Sequence, residues 1–175
     1  IYDILTKDKN DDTHIFFLSS NLCPAHRKDL IEDIKNALKN EEDIICISTQ
    51  LIEAGVDISF ESTIRALAGL DSIAQTSGRA NRNGEKIKGF SYVINLNDDD
   101  KLSRLTEIKL GKTHCIEFLD KYRGNKRIFN NSLLSPKSIE EYFNSYYSDK
   151  IINDCMDYPV KNTSIYRMLE YSESN

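Results

Sequence analysis

The sequence lacks any long apolar run. No segment reaches the roughly 18 consecutive apolar residues that a membrane-spanning helix needs, so we expect no membrane partner. Residues 1–12 are charged and poor in apolar side chains, so they do not form a secretory signal and a cytoplasmic location is expected. Because the first residue is not methionine, we expect a piece of a longer protein.

Cysteine and histidine are also too sparse to suggest a metal centre. The chain has four cysteines and three histidines, and they are far apart, without a C-x-x-C pair or another zinc-site spacing. We therefore expect reduced, partly buried thiols and no metal site. Internal repeats and low-complexity tracts are lacking as well, which favours an ordinary globular fold.

The chain also lacks an excess of basic over acidic residues. Lys and Arg number 23 against 28 Asp and Glu, which gives a net charge of −5 and a pI near 5.3. This balance argues against a nucleic-acid coat protein, which needs a basic face, but it permits a domain that grips phosphates with a few local cations. Apolar residues make up 39% of the chain and charged residues 29%, as in soluble globular domains.

Short apolar segments alternate with amphipathic ones between residues 13 and 97. The apolar segments are short enough, and several are rich enough in β-branched residues, to predict buried strands. Strands are predicted at residues 15–19, 43–49, 56–58, 62–68 and 90–96.

Two helices are predicted between these strands. Residues 24–40 carry one apolar stripe, and Pro24 suits the first turn of a helix. Residues 72–82 predict a second helix, with Asp71 as its N-cap. Strands that alternate with helices indicate an α/β fold, with a parallel sheet covered by helices on both faces.

The pattern of apolar and polar residues changes near residue 100. Residues 101–122 are amphipathic, and Ser135 and Pro136 mark the start of another helix. We therefore predict two parts, a sheet domain over residues 1–100 and a mainly helical extension over residues 101–175.

The segment QTSGRANR, residues 75–82, carries the first candidate site. On a helix, Gln75, Arg79 and Arg82 would share one face. Guanidinium groups stay charged and bind phosphate oxygens bidentately, and Gly78 would let a phosphate come close. The segment is a candidate polyanion clamp, although a solvated face with two surface arginines fits the spacing equally well.

A second candidate site follows the strand predicted at residues 43–49. Ser48 and Thr49 fall at its carboxyl end, where open α/β sheets hold ligands. Short hydroxyls and backbone N–H groups there can hold a phosphate. Gly55 permits a turn, and Asp57 can accept a hydrogen bond from a sugar hydroxyl. The alternative is an ordinary connection from a strand to a turn.

Together these two segments resemble a pair of helicase motifs. S-T-Q-x-x-E-A-G-V-D-I at residues 48–58 and Q-x-x-G-R-x-x-R-N-G-E at residues 75–85 resemble motifs V and VI of superfamily-2 helicases. Three segments are similar to the CRISPR-associated helicase family. They are LSSNLCPAHR at residues 18–27, RALA at 65–68 and LDSI at 70–73. Members of that family are the helicase–nucleases of type I CRISPR systems.

The resemblance implies the second RecA-like lobe of a P-loop NTPase motor, without the first strand of that lobe. Such a motor hydrolyses ATP with Mg²⁺, whose ligands lie mostly on the first lobe, and moves along single-stranded DNA. By resemblance, Arg82 is the arginine finger, Arg79 is its companion and Gln75 is a nearby polar contact. A missing strand would leave an exposed sheet edge and a marginal or self-associating chain.

The same resemblance assigns ligand contacts and partners. Gly55, Asp57 and Gly78 match positions on the nucleotide side. The positions that match DNA contacts, or the face toward the other lobe, are Ser48, Thr49, Ser19, Ser20 and Arg27. The implied partners are the first RecA-like lobe and the nuclease domain of the parent chain, and a crRNA-guided surveillance complex.

Two motifs of a complete motor are not in the sequence. It has no G-x-x-x-x-G-K-[ST] loop, because residues 84–91 place Phe90 where the lysine must stand. It also has no D-E-x-[DH] segment, so we do not expect the chain alone to turn over ATP. Two alternatives stay open: a lobe of another superfamily-2 DNA or RNA helicase, and a non-enzymatic RecA-like binding module.

Overall fold

The computed structural model describes most of the chain, namely residues 2–8, 12–52, 56–96, 106–156, 158–161, 163–165 and 168. Its helices are α1 (Tyr2–Asp8), α2 (Pro24–Lys39), α3 (Leu70–Ser77), α4 (Thr106–Gly124), α5 (Pro136–Tyr147) and α6 (Lys150–Met156). Its strands are β1 (His14–Leu18), β2 (Ile44–Ser48), β3 (Ser62–Ala66), β4 (Phe90–Ile94), β5 (Pro159–Val160) and β6 (Thr163–Ser164). Among the described helices, none has the length and apolar character that crossing a membrane requires.

The chain divides into two compact units. The first contains Ile1–Arg65 and Ala74–Ile94, and the second contains Ala66–Ile73 and Asn95–Asn175. The predicted domain boundary near residue 100 stays a prediction.

The first unit is built around a parallel β–α–β arrangement. β1 and β2 pair in parallel, from His14 opposite Ile44 to Leu18 opposite Ser48, and α2 provides the crossover that parallel strands require. Leu18 and Ile34 are fully buried, so the apolar stripe of α2 packs in the core, as an amphipathic helix does. The predicted strands at 15–19 and 43–49 and the helix at 24–40 are confirmed, and so is the α/β class.

β3 and β4 form a second strand pair in the same unit. Polar side chains link it to the end of α3: Thr63 Oγ1 and Ser77 Oγ both donate to Ser91 Oγ, at 2.9 and 3.0 Å. Large apolar side chains of the same pair stay exposed, including Ile64 at 68% and Tyr92 at 53%. Parallel-sheet proteins normally cover such residues, so this strand pair exposes apolar surface in the described part of the chain.

Two predicted elements were wrong. Residues 56–58 are not a strand, and in this region only Phe60 forms a β-bridge, with Ala80. The predicted helix at 72–82 begins at Leu70 and already ends at Ser77, so Asp71 lies in its first turn rather than at its N-cap. Glycine is a poor helix former, and Gly78 follows Ser77 directly, so the chain leaves the helix there.

The second unit has an aromatic core. Buried residues from the start of α3 and from the C-terminal helices form one cluster, in which Phe118 and Phe129 pack edge to face at a centroid distance of 5.3 Å. The buried members are Leu67, Leu70, Ile73, Cys115, Phe118, Phe129 and Tyr142. The predicted helical character of the C-terminal segment is confirmed by α4, α5 and α6.

A buried histidine connects three helical segments of this unit. His114 on α4 contacts Ser145 Oγ on α5 through Nδ1 at 3.0 Å and Asp149 Oδ2 through Nε2 at 3.2 Å. Asp149 Oδ1 also accepts a hydrogen bond from the Ile151 N–H at 2.8 Å, at the start of α6. The Ile151 bond, with a smaller contribution from His114, holds the pKa of Asp149 below its usual value of 3.8.

The lowered pKa of Asp149 predicts an acid-sensitive contact. A carboxyl group whose pKa is depressed by folding stabilises the fold above its unfolded pKa, and this stabilisation is lost as the pH falls through the folded pKa. We expect Asp149→Asn to lower the melting temperature of the chain near neutral pH. The difference in melting temperature between the variant and wild type should become smaller as the pH falls below about 4, because acid protonates the wild-type carboxyl.

The control for this change is Asp120→Asn, which alters an exposed aspartate on α4 that pairs with Arg123 of its own helix. Melting curves of both variants between pH 7 and pH 3, read against wild type, test the prediction. A gap for Asp149→Asn that stays constant over this range would contradict it.

Candidate functional site

The carboxyl ends of β1 and β2 bring four predicted residues to one edge. Since the strands run parallel and in register up to Leu18 and Ser48, Ser19–Ser20 and Thr49 leave the sheet on the same side. The Thr49 N–H donates to the Leu18 carbonyl at 3.2 Å, which ties the two exits together. The sequence predicted Ser48 and Thr49 at the carboxyl end of a strand, and the structure has them there. Ligand binding at this edge stays a prediction.

Their hydroxyls differ in availability. Ser19 is buried and its Oγ accepts from the Asn21 N–H at 3.3 Å, so this hydroxyl shapes a turn. Ser48 Oγ donates to the Thr49 carbonyl at 2.8 Å. Ser20 and Thr49 are exposed, whereas the predicted contact Arg27 is half-buried on α2. Ser20 and Thr49 therefore present the accessible hydroxyls of this edge.

The arginine segment does not form the predicted helical face. Gln75 is exposed on α3, but Arg79 and Arg82 lie beyond the end of that helix. Arg79 is buried, with 7% of its surface exposed, whereas 44% of the Arg82 side chain is accessible. The expectation of one shared face was wrong, because the backbone turns at Gly78 and separates the two guanidinium groups.

Backbone hydrogen bonds to Phe60 fix this turn. The Phe60 N–H donates to the Arg79 carbonyl at 2.9 Å, and the Asn81 N–H donates to the Phe60 carbonyl at 2.7 Å. These bonds take up backbone groups that a longer helix would use for itself. Residues 79–81 are therefore attached both to the end of α3 and to the loop that follows residue 56.

The hydrogen bonds of Phe60 to this turn bring Asp57 and Arg82 into contact. Asp57 Oδ1 lies 2.8 Å from Arg82 Nε, and both side chains are exposed. Exposed ion pairs of this kind stabilise a fold by only about 0–1 kcal/mol. The contact is therefore important because it fixes the position of the Arg82 side chain. The structure thus joins one residue from each of the two helicase-like segments.

Asn81 and Gly84 shape the rest of the turn, and sequence reasoning missed the role of Asn81. Both adopt positive φ, 50° and 69°, a region that asparagine and glycine enter most readily. Asn81 Oδ1 accepts from the Lys86 N–H at 2.9 Å, and its Nδ2 donates to the Lys86 carbonyl at 2.6 Å. An asparagine two residues before the Asn83-Gly84 pair was the signal that could have revealed this turn.

Two glycine predictions have different outcomes. Gly55 lies outside the described residues. A Cβ at Gly78 would approach only the carbonyl oxygens of Gln75, at 3.4 Å, and Ala74, at 3.5 Å. The close approach of a phosphate at Gly78 therefore stays a prediction.

A pocket of about 730 Å³ lies beside Asp57. Its six acidic and three basic lining residues give a net charge of −3, which disfavours a phosphate-bearing ligand. They are Glu41, Glu42, Asp43, Asp57, Glu61 and Glu85 against Lys35, Lys39 and Lys86. The exposed guanidinium of Arg82 is the better phosphate partner. Within the described ranges, no three metal-ligating side chains converge, so the expectation of no metal site is not tested further.

Comparisons with known proteins point in one direction. The family described as CRISPR-associated nuclease/helicase Cas3, C-terminal, matches residues 1–85. A curated protein named CRISPR-associated nuclease/helicase Cas3, from Methanothermobacter thermautotrophicus, is 29% identical over 163 residues. That alignment covers 91% of this chain and 19% of the relative. The chain is therefore similar to part of the Cas3 nuclease/helicases.

Further matches show the same similarity. The Cas3 of Haloferax volcanii is 45% identical over 77 residues, covering 44% of this chain and 8% of the relative. The crystal structure of T. fusca Cas3-ADP superposes with a TM-score of 0.63 at 13% identity, over 99% of this chain and 20% of that one. At this identity the superposition shows the fold alone. The chain spans about a fifth of the length of the Methanothermobacter and T. fusca Cas3 proteins.

The conformation of Gly84 predicts which glycine tolerates alanine. Gly84 has a φ of 69°, whereas Gly124 ends α4, and neither has a neighbour that an added Cβ would meet within 4 Å. Gly84→Ala should therefore lower the free energy of unfolding by about 1 kcal/mol, because L-residues are strained at positive φ. Gly124→Ala should raise it by about 0.5 kcal/mol, through lower entropy of the unfolded chain.

Urea denaturation of both variants measures the two effects. Since space is equal at the two positions, only the backbone conformation distinguishes them. Equal changes at Gly84 and Gly124 would contradict the conformation assigned to the turn that carries Arg82.

Proposed function

We propose that this chain is the second RecA-like lobe of an ATP-driven motor that moves on single-stranded DNA in CRISPR antiviral defence. The observation that carries the proposal is the contact between Asp57 Oδ1 and Arg82 Nε. It brings together two motif-like segments that are distant in sequence, as a nucleotide site built from both would require. The Cas3-like sequence and fold support the same reading.

Arg82 is the arginine finger in this proposal. Its guanidinium is accessible and is held by an exposed partner, so a phosphate can replace the carboxylate at little cost. Phosphoryl transfer requires neutralisation of spread negative charge, and a finger arginine contributes about 10³–10⁵ in rate. Arg79 supports the same turn from its buried position, and Gln75 provides a polar contact from α3.

Asp57 serves the nucleotide once Arg82 turns to the γ-phosphate. Its freed carboxylate then accepts a hydrogen bond from a sugar hydroxyl, and Gly55 and Gly78 are the neighbouring nucleotide-side positions. T. fusca Cas3 has crystal structures described as Cas3-ATP, Cas3-AMPPNP and Cas3-ADP, which supports nucleotide use by the intact protein. ATP with Mg²⁺ is the proposed cofactor.

The strand-end edge is the proposed DNA contact. Hydroxyls and backbone N–H groups hold phosphates without reading sequence, and Ser20 and Thr49 are the accessible hydroxyls there. Ser48 and Arg27 are further proposed contacts, and the buried Ser19 supports this edge from below the surface. An acidic chain can bind DNA in this way because only local donors are needed, not a basic face.

The parent protein supplies the remaining parts. A first RecA-like lobe would bring the phosphate loop and the acidic motif that this sequence lacks, and a nuclease domain would act on the DNA. A crRNA-guided surveillance complex is the proposed partner and the cytoplasm the proposed location.

Replacing Arg82 tests the motor reading directly. In the intact parent, we expect Arg82→Ala to lower ATP turnover stimulated by single-stranded DNA about 10³-fold or more, because the finger charge is lost. The matched control is Arg123→Ala, which removes an exposed arginine paired with Asp120 at 3.0 Å outside the site. It should leave turnover unchanged.

Each other result changes the assignment. A parent that is active but insensitive to Arg82→Ala would make Arg82 a surface arginine. Turnover stimulated by RNA and not by DNA would favour another superfamily-2 helicase. No turnover in the parent with either nucleic acid would favour a non-enzymatic binding module.

The 175-residue chain alone should not hydrolyse ATP. Its sequence has no lysine-bearing phosphate loop and no D-E-x-[DH] motif, so the β- and γ-phosphates would lack their main ligands. A phosphate-release assay of the purified chain with ATP, Mg²⁺ and single-stranded DNA measures this, with the intact parent as the positive control. Turnover by the chain that Arg82→Ala removes would refute the expectation.

A further inference from the structure

The first unit contains another pocket, and its lining is mostly apolar. Its volume is about 460 Å³, which lies in the range of sites that bind small molecules or single rings. Its walls come from α1, β1, α2 and the connection between β1 and α2. They include Tyr2, Ile15, Phe17, Leu22, His26 and Leu30. Among the described residues no carboxylate lines this pocket, so it does not repel a polyanion as the pocket beside Asp57 does.

Two aromatic rings give this pocket a stacking surface. Phe17 on β1 and Tyr2 on α1 pack edge to face, with a centroid distance of 6.0 Å and an interplanar angle of 61°. Tyr2 therefore restricts the Phe17 ring, and yet Phe17 stays 43% exposed. An aromatic ring that is held in place and remains accessible is a suitable partner for a flat ring of a ligand.

His26 adds hydrogen-bonding atoms to the apolar walls. It is exposed near the start of α2, and a neutral imidazole offers one donor and one acceptor nitrogen. A nucleobase has the matching chemistry, because it combines two faces that stack on aromatic rings with a polar edge that forms hydrogen bonds. A phosphate group has no such face, so the pocket suits the base of a nucleotide and not its phosphate.

The turn from β1 to α2 brings this pocket close to the proposed phosphate contacts. Ser20 lies inside this turn, in which the Leu22 N–H donates to the Ser19 carbonyl at 3.1 Å. Because Leu22 is only two residues beyond Ser20, their Cα atoms lie within about 7 Å of each other. A single sugar separates the base of a nucleotide from its phosphate. A strand that contacts Ser20 can therefore place a base against Leu22 and Phe17.

We propose that this pocket holds one base of the single strand whose phosphates contact Ser20 and Thr49. The inference rests on the proposed function and extends it, because it adds a base site to a contact that otherwise involves only the DNA backbone. Stacking on an aromatic ring tolerates every base, so such a site does not read sequence. The competing occupant is an apolar segment of the parent protein.

Binding of two oligonucleotides to the intact parent tests the proposal. One is an oligothymidylate and the other an abasic strand of equal length. Their Kd values are measured by fluorescence anisotropy in EDTA, which prevents metal-dependent cleavage. We expect the wild-type parent to bind the abasic strand about tenfold more weakly, as for the loss of one stacked base. Equal Kd values for the two strands would overturn the proposal without any substitution.

Phe17→Leu removes the aromatic ring and keeps an apolar side chain on β1. It should raise the Kd for oligothymidylate about tenfold and leave the Kd for the abasic strand within about twofold of wild type. The matched control is Phe90→Leu, which alters another exposed phenylalanine of the same unit, on β4 and outside the pocket lining. It should change neither Kd value.

The remaining outcomes separate this inference from the proposed function. If Thr49→Val weakens both strands equally while Phe17→Leu weakens neither, the base site is wrong and the DNA-binding edge stands. Equal weakening of both strands by Phe17→Leu would contradict stacking of a base on this ring. A lower melting temperature of Phe17→Leu with unchanged Kd values would mean that a segment of the parent fills the pocket, and the inference falls. A wild-type parent that binds neither strand overturns the inference and the proposed function together.

Discussion

The backbone of Phe60 imposes the constraint on which the candidate site depends. Its N–H and carbonyl bind Arg79 and Asn81, so the arginine segment is held as a turn and not as helix. This arrangement buries one guanidinium and exposes the other. It also brings Arg82 against Asp57, three residues before Phe60.

Rigid backbone and exposed side chains are combined at both parts of the site. Paired parallel strands fix where Ser20 and Thr49 emerge, while their hydroxyls stay accessible. The Phe60 bridge fixes the turn, while Arg82 stays accessible. Functional groups on loops supported by a rigid scaffold are a general feature of binding sites. Here the loss of backbone conformational entropy occurs on folding, so ligand binding does not have to order the backbone.

Local sequence was sufficient where neighbouring residues decide the structure. The apolar runs of β1 and β2 and the stripe of α2 agree with their final environment, so periodicity predicted them correctly. It failed at residues 75–82, because periodicity cannot register a bridge to Phe60 from another part of the chain. It failed at residues 56–58 for the related reason that β-branched residues near a glycine also occur in extended loops.

The sequence by itself determined the α/β class, the strand-end hydroxyls and the Cas3-like motifs, because each depends on short-range patterns. Only the tertiary structure decided that Arg79 is buried, that Arg82 meets Asp57 and that Tyr142 reaches Asp71. These pairings join residues far apart in the chain. No local propensity encodes them, since they arise when packed strands and helices bring distant backbone segments into contact.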